Sequence, residues 1–479
     1  MDEGEAALPG NTKGTPLPRN RIMIATDGLQ PVMISVVIPV HNGEDWLNRC
    51  LQAIAAGDHP RYECIVVDDS STDGSRAIAA QFPVRLVNLS GGPFGPAYAR
   101  NRGADVAQGE ILLFVDADVA VHADTLPQVA EAFARHPDID AVFGSYDDSP
   151  EAPEFLSRYK NLFHHFVHQH AREEAVTFWS GCGAVRREVF FLLGGFDENR
   201  HVIEDIELGY RMRAAGRKIV VNKAIQVKHL KRWTLRGMIQ SDVLDRGIPW
   251  TMLILRERAV PNDLNLRVSQ RVSALLLAAV VLYLSFLAFF HAIIILPLLA
   301  GLFILLAGNW TEEAPHFQLS RVARMLTYVL TGTIVALALH FGVLWVLPFL
   351  VFPLFGVLGD RWRPRFSVLF RRAFFGAMVL GLSVGVAVLL LSISLGLVTP
   401  LLLMVFLIML LNYRFYAFFA RKRGLIFTLA VIPFHLFYYL YSVIAFLVGA
   451  GLYVRTQRGV RSSVPKQAAE GMADIPSTR

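Results

Sequence analysis

The stretch Gly109-Glu110-Ile111-Leu112-Leu113-Phe114-Val115-Asp116-Ala117-Asp118 decides the fold. Residues 110–115 read as a short buried strand, apolar on both faces as in a parallel sheet. Asp116 and Asp118 then stand at its carboxyl end, where open α/β sheets bind their ligands. Two acids one residue apart repel each other unless a cation lies near them. A hard ion such as Mg²⁺ or Mn²⁺ prefers oxygen ligands and shares them with substrate phosphates. The alternative is a turn, since Asp is common wherever strands end.

The same alternation extends upstream. Residues 34–40 form an apolar strand, followed by His41-Asn42-Gly43 and a helix with Trp46, Leu47, Cys50, Leu51 and Ile54 at helical spacing. A second strand, 64–67, runs into Asp68-Asp69-Ser70-Ser71-Thr72-Asp73-Gly74. A third, 85–89, leads through Gly91-Gly92-Pro93-Phe94-Gly95 to a helix carrying Arg100, Asn101 and Arg102. Strand alternating with helix predicts a parallel, buried sheet with its loops gathered on one edge. Downstream, Glu204-Asp205 opens a helix through Leu208, Tyr210 and Met212, where the dipole favours charged carboxylates and the plain reading is a helix cap. His229 ends the strand 224–228, a position more often structural than ligating.

Composition divides the chain. It has 479 residues, 53% of them hydrophobic, with net charge +6 and mean hydropathy +0.41, too apolar for one soluble domain. Residues 1–260 read as a soluble α/β protein, and 272–451 as long apolar runs. The basic excess lies between those runs, which indicates a membrane surface and no nucleic acid. Residues 1–33 read as a flexible tail without a signal-peptide core. The three cysteines, Cys50, Cys64 and Cys182, read as reduced thiols with no zinc site. Residues 233–270, with Trp233 and Trp250, read as amphipathic helices lying on the membrane.

The apolar blocks 272–308, 322–358, 373–411 and 425–454 leave room for six to eight spans of about 20 residues each within 271–454. A tail follows over 455–479. The intervening loops are 309–321, 359–372 and 412–424. The second carries Arg361, Arg363, Arg365, Arg371 and Arg372, and the third Arg414, Arg421, Lys422 and Arg423. The positive-inside rule places both in the cytoplasm.

The motifs taken together resemble the family-2 glycosyltransferases, inverting enzymes of the GT-A fold that use a nucleotide-sugar donor. The matching residues are Pro39 and Asn42, residues 67–74, Ala99-Arg100-Asn101-Arg102-Gly103 and Asp116-Ala117-Asp118. Further on come Trp179-Ser180-Gly181-Cys182-Gly183, Gly194-Gly195-Phe196-Asp197-Glu198 and Glu204-Asp205-Ile206-Glu207-Leu208. The resemblance implies a Rossmann-like α/β GT-A domain, read here over 34–232 on the cytoplasmic side, ahead of the all-α multi-pass domain that the apolar blocks predict in the inner membrane. It places Pro39, Asn42, Asp68, Asp69, Arg100, Asp116 and Asp118 around a UDP- or GDP-type donor.

By the same resemblance Asp118 is the ligand of a Mg²⁺ or Mn²⁺ ion, Asp116 a ribose or metal contact, and His229 a further metal ligand. Asp205 is the general base and Glu204 its orienting neighbour. The acceptor implied is lipid-linked or a glycan at the membrane, and the transfer hexosyltransferase-type.

Processive relatives carry Gln-x-x-Arg-Trp near the membrane. Here Gln240, Arg246 and Trp250 are too far apart, which puts processivity in doubt and leaves Arg246 and Trp250 as acceptor or diphosphate contacts. A polymer-extruding synthase is the alternative enzyme. A transporter or scaffold with a nucleotide-sensing domain is the alternative of another class, against which the intact Glu204-Asp205 pair speaks.

Overall fold

The computed structural model describes residues 32–290 and 398–463. Residues 34–229 are built on one eight-stranded sheet: β1 (Ile34–Val40), β2 (Tyr62–Asp69), β3 (Arg85–Leu89), β4 (Ile111–Val115), β5 (Val119–Val121), β6 (Ala141–Tyr146), β7 (Cys182–Arg186) and β8 (Ile219–His229), in the order β3-β2-β1-β4-β7-β6-β8-β5. Side chains alternate across the pleat. In β1, Ile34, Val36, Ile38 and Val40 enter one apolar layer and Val37 the other. Helices α1 (Glu44–Ala55), α2 (Ser75–Ala79) and α4 (Thr125–Arg135) cover the first layer, as the spacing of Leu47, Cys50, Leu51 and Ile54 predicts. Helices α3 (Pro96–Val106), α6 (Arg187–Leu192) and α7 (Glu204–Ala214) cover the second. The three cysteines are buried and unpaired.

The parallel sheet expected from the strands up to Asp116 is present, and the strands beyond it add antiparallel pairs. β3, β2, β1 and β4 run parallel, but β7 is antiparallel to both β4 and β6, and β5 is antiparallel to β8. The three-residue β5 has no strand signal of its own. It forms because β8 offers it an edge, in a register that sets Val119 opposite His229.

Helix α5 (Phe155–Gln169) joins the sheet to a helical layer made of α8 (Leu235–Gln240), a π-helical turn (Ser241–Gly247), α9 (Ile248–Glu257), α10 (Val268–Phe290), α11 (Val398–Leu411) and α12 (Tyr413–Ser463). Two stretches among the described residues are long and apolar enough to cross a membrane, Val268–Phe289 and Tyr413–Gln457. Block 322–358, most of the other expected spans, the loops 309–321 and 359–372, nearly all of the first tail and residues 464–479 of the second lie outside the described residues.

Two local expectations are revised. Residues 412–424 are helical beyond Asn412, not a loop. Phe415, Phe418 and Phe419 recur at helical spacing and pack on Tyr159, Leu162 and Phe163 of α5, while Lys422 pairs with Asp148. The helix breaks at Gly424, whose φ of 83° leaves the right-handed region. Trp233 is buried at 5% exposure among the same aromatic residues, so it serves packing and is no headgroup anchor.

Polar groups tie the layers together. Lys160 donates to both Asp242 carboxylate oxygens at 2.5 and 2.6 Å, and the Tyr441 hydroxyl donates to the same group at 2.6 Å. Asn412 donates to Ser273 Oγ at 2.9 Å and accepts from Gln270 and from the Tyr439 hydroxyl.

Candidate active site

Four chain segments converge at the carboxyl end of β4. The first is the Asp116-Ala117-Asp118 turn itself. The second is α3, which lies close on the sheet because residue 103 is glycine; a Cβ there would sit 2.4 Å from Val37 Cγ1. From α3, Arg100 reaches across buried, 4% exposed. Its Nη2 donates to Asp116 Oδ1 at 2.7 Å and its Nη1 to Glu204 Oε1. The strand-tip acid and the helix-start acid, 88 residues apart by their numbers (204 − 116), therefore share one guanidinium. Arg100 is a buried bridge, not a solvated helix start. Arg102 is the surface residue, paired with Glu198 and Asp105.

The third segment is α7. It packs against residues 177–178 with no room for a side chain at Gly209, where a Cβ would lie 2.4 Å from the Phe178 nitrogen. Ile203, which precedes Glu204, has φ 56°. A β-branched residue in that region is strained by about 1–3 kcal/mol, and its side chain is held down by Tyr210, Leu253 and Trp250. Asp205 is oriented by Ser180, whose N–H and hydroxyl donate to Oδ2 at 3.1 and 3.2 Å, and by the Ile206 N–H at 2.7 Å. Burial raises the pKa of Glu204 to about 7, with Arg100 pulling it down and Asp205 adding to the rise. Asp116 is likewise raised, first by burial and then by Asp118, against the pull of Arg100.

The fourth segment is the end of β8. His229 is buried, with its ring stacked on Tyr146 at 4.3 Å. Its Nδ1 lies 2.7 Å from Asn161 Oδ1 and its Nε2 3.5 Å from Asp118 Oδ2. Nδ1 thus faces the Asn161 amide, and Nε2 is turned toward the carboxylate. Burial pushes the Asp118 carboxyl up, but the His229 ring and Lys231 outweigh it and hold it below the usual range. A divalent cation suits the same pair, since a ligating histidine donates its other ring N–H to a carbonyl group. Among the described residues no group of three or more His, Cys, Asp or Glu side chains is gathered to hold a metal. Asp116 is turned to Arg100 and does not join the Asp118–His229 pair.

The other expected residues fall around this centre. Asp68 is fully buried; its Oδ2 takes Arg76 Nε at 2.6 Å, and its Oδ1 has no partner. Asp69 accepts from the Phe94 and Gly95 N–H groups and so holds the glycine-rich loop. Asn42, exposed, accepts from the Thr72 N–H at 2.8 Å and ties the loop after β1 to the loop after β2. Pro39 sits in β1 opposite Val67. Arg246 is exposed in the π-helical turn, 3.4 Å from His164 Nε2. Trp250 packs on Ile203 and Tyr210, behind the helix that carries the acids.

Residues 35–192 match the family described as Glycosyl transferase family 2. This stretch is a family-2 glycosyltransferase domain. Similar proteins include a poly(ribitol-phosphate) beta-glucosyltransferase of Bacillus spizizenii, 40% identical over 103 residues, covering 19% of this chain and 16% of that protein. Another is the glycosyltransferase AglE of Haloferax volcanii, 37% identical over 99 residues, covering 19% of this chain and 33% of that protein. Each of these matches spans a third or less of the relative's own length. Among solved structures, a mannosyltransferase of Pyrobaculum calidifontis in complex with GDP-Man and Mn²⁺ aligns at 21% identity and a TM-score of 0.37, over 48% of this chain and 63% of that one. The glycosyltransferase domain contains Asp116 and Asp118, while Glu204, Asp205 and His229 lie beyond the matched stretch.

Sequence reasoning passed over Ser180, Asn161 and Tyr146. Ser180 stood inside a quoted motif and could have been assigned as the partner of Asp205. Nothing local marks Asn161, which lies 68 residues from His229.

Proposed function

We propose that the chain is a membrane-associated inverting glycosyltransferase, which moves a sugar from a UDP- or GDP-type donor to a lipid-linked or glycan acceptor at the membrane. The observation that carries the reading is the buried Arg100 bridge, which joins Asp116 to Glu204, the neighbour of Asp205, beside the Asp118–His229 pair. Asp68 Oδ1, buried without a partner, is the acceptor for an N–H of the donor's base. Mg²⁺ or Mn²⁺ would be held by Asp118 and His229 and would neutralise charge on the departing nucleoside diphosphate. Asp205, its carboxylate aimed by Ser180, takes the proton of the acceptor hydroxyl as that oxygen attacks the anomeric carbon. One displacement inverts configuration. Arg100 keeps Glu204 and Asp116 in place and limits their repulsion of Asp205.

Membrane association rests on the two long apolar stretches and on the leucines and phenylalanines that α10, α11 and α12 leave exposed, such as Leu275, Leu282, Phe286, Phe406 and Leu447. Addition of one or a few sugars, in preference to polymerisation, is supported by the π-helical turn that separates Gln240 from Arg246 and by Trp250 being occupied in packing.

The test is metal dependence. Sugar transfer by the purified full-length protein should vanish in EDTA and return with Mn²⁺ or Mg²⁺. Asp118→Asn should remain folded and lose more than about 10²-fold of its activity, as when one electrostatic stabiliser of the transition state is removed. Full activity in EDTA contradicts the reading.

A further inference from the structure

Helix α5 has two working faces. Asn161 and His164 turn to His229 and Tyr146 at the active site. Phe163 and Phe166 turn the other way and line a cavity of about 200 Å³, closed by the start of α10 and the α11–α12 turn. That is well above the roughly 30 Å³ a water occupies in the liquid. The cavity is apolar on one side and strongly basic on the other. Arg267 and Arg414 both line it, and among the described residues neither is paired with a carboxylate; Arg414 gives only its Nε to the neighbouring Tyr413 hydroxyl at 3.0 Å. His435 lines it too, at 1% exposure. Its Nδ1 lies 3.1 Å from the Tyr416 hydroxyl, and its Nε2 is buried with no partner.

A buried polar atom left unpartnered is costly, and Arg267, half-buried, and Arg414, at the solvent side, bring two cations to the same cavity. With the Tyr416 hydroxyl donating to Nδ1, Nε2 presents an N–H to the cavity. All three side chains then offer donors, and together they suit the oxygens of a phosphate. His170, on the same wall, reports the excess of positive charge. Burial lowers its ring pKa, and Arg267 and Arg414 lower it further.

We propose that this cavity binds the phosphate headgroup of an anionic membrane lipid, at a site separate from the active site by the width of α5. The lipid source is favoured over free phosphate by what adjoins the donors. Leu264, Leu411 and Phe415 line the same cavity, and the helices that leave it carry exposed leucines, Leu275 on α10 with Leu402 and Leu403 on α11, along which acyl chains can lie. The site is the junction where the catalytic domain meets the apolar helices, so an occupied cavity fastens the two together.

The proposal rests on the membrane reading of those helices. A failure of that reading appears as protein that stays soluble without detergent, whereas failure of the site appears as a lack of charge selectivity in detergent. The experiment uses full-length protein in neutral detergent, titrated separately with phosphatidylglycerol, phosphatidylcholine and inorganic phosphate, and followed by native mass spectrometry and thermal melting. Phosphatidylglycerol is expected to be retained at about one per chain and to raise the melting temperature, with the other two doing neither. Arg267→Gln/Arg414→Gln, both away from the active site, should melt like the wild type without lipid and bind phosphatidylglycerol at least about tenfold more weakly, the loss of one strong charge-assisted bond. His435→Gln, which keeps a donor, should retain binding. Equal retention of phosphatidylcholine, an equal shift from inorganic phosphate, or a double variant that binds like the wild type overturns the proposal.

Discussion

Among single residues, the acids of the site differ in charge because their neighbours differ. Asp118 is held low beside His229 and Lys231, while burial holds Asp116 and Glu204 high even with Arg100 between them. Glu204 therefore keeps a proton in the folded chain, from its ordinary 4.5 up to about 7, over a range where the unfolded side chain has lost it. The folded state binds the extra proton, so this group's contribution makes stability fall as pH rises through that window. Glu204→Gln is expected to flatten the corresponding part of a melting-temperature profile. An unchanged slope would assign the proton elsewhere. Asp118, Glu204 and Asp205 could be singled out in the sequence only because they stand in motifs shared with a known family, since an acid at a strand tip or helix start is by itself an ordinary turn or cap residue. Their partners could not, because Arg100 acquires its role only through a long-range contact to Glu204.

The elements divide along the same line. β1 begins and ends where its apolar run does, at Ile34–Val40, because burial on both faces is written locally. The reversal of β7 and the formation of β5 depend on which edge is free once the other strands have assembled, and no local pattern records that. Helix α5 shows the energetic side of such long-range choices. Lys160, 3% exposed, is matched to Asp242 of the π-helical turn, which Tyr441 of α12 also reaches. Removing one partner of a buried pair costs about 3–5 kcal/mol, whereas replacing both with apolar residues is often nearly neutral. Lys160→Met should accordingly melt well below the wild type in detergent, and Lys160→Met/Asp242→Leu should recover most of the loss. A double variant as unstable as the single one would mean that Lys160 acts through packing and not through charge.

For the whole molecule, a glycosyltransferase domain is docked through α5 on a layer of apolar helices. The aromatic residues of 413–419, which the sequence presented as part of a basic loop, make that contact. Docking the acids of α7 against α9 through Trp250 means that the helical layer also supports the strained turn at Ile203. In the proposed function, a site braced in this way would hold an acceptor close to the surface where membrane-bound substrates lie. The most direct measurement is nucleoside diphosphate release from a panel of UDP- and GDP-sugars by membrane-reconstituted full-length protein, run beside Asp205→Asn with donor binding measured on both. One donor should be turned over by the wild type. Asp205→Asn should bind it equally and turn it over about 10²–10⁴-fold more slowly, the usual worth of a general base. No release from any donor, or equal release by Asp205→Asn, would contradict the account.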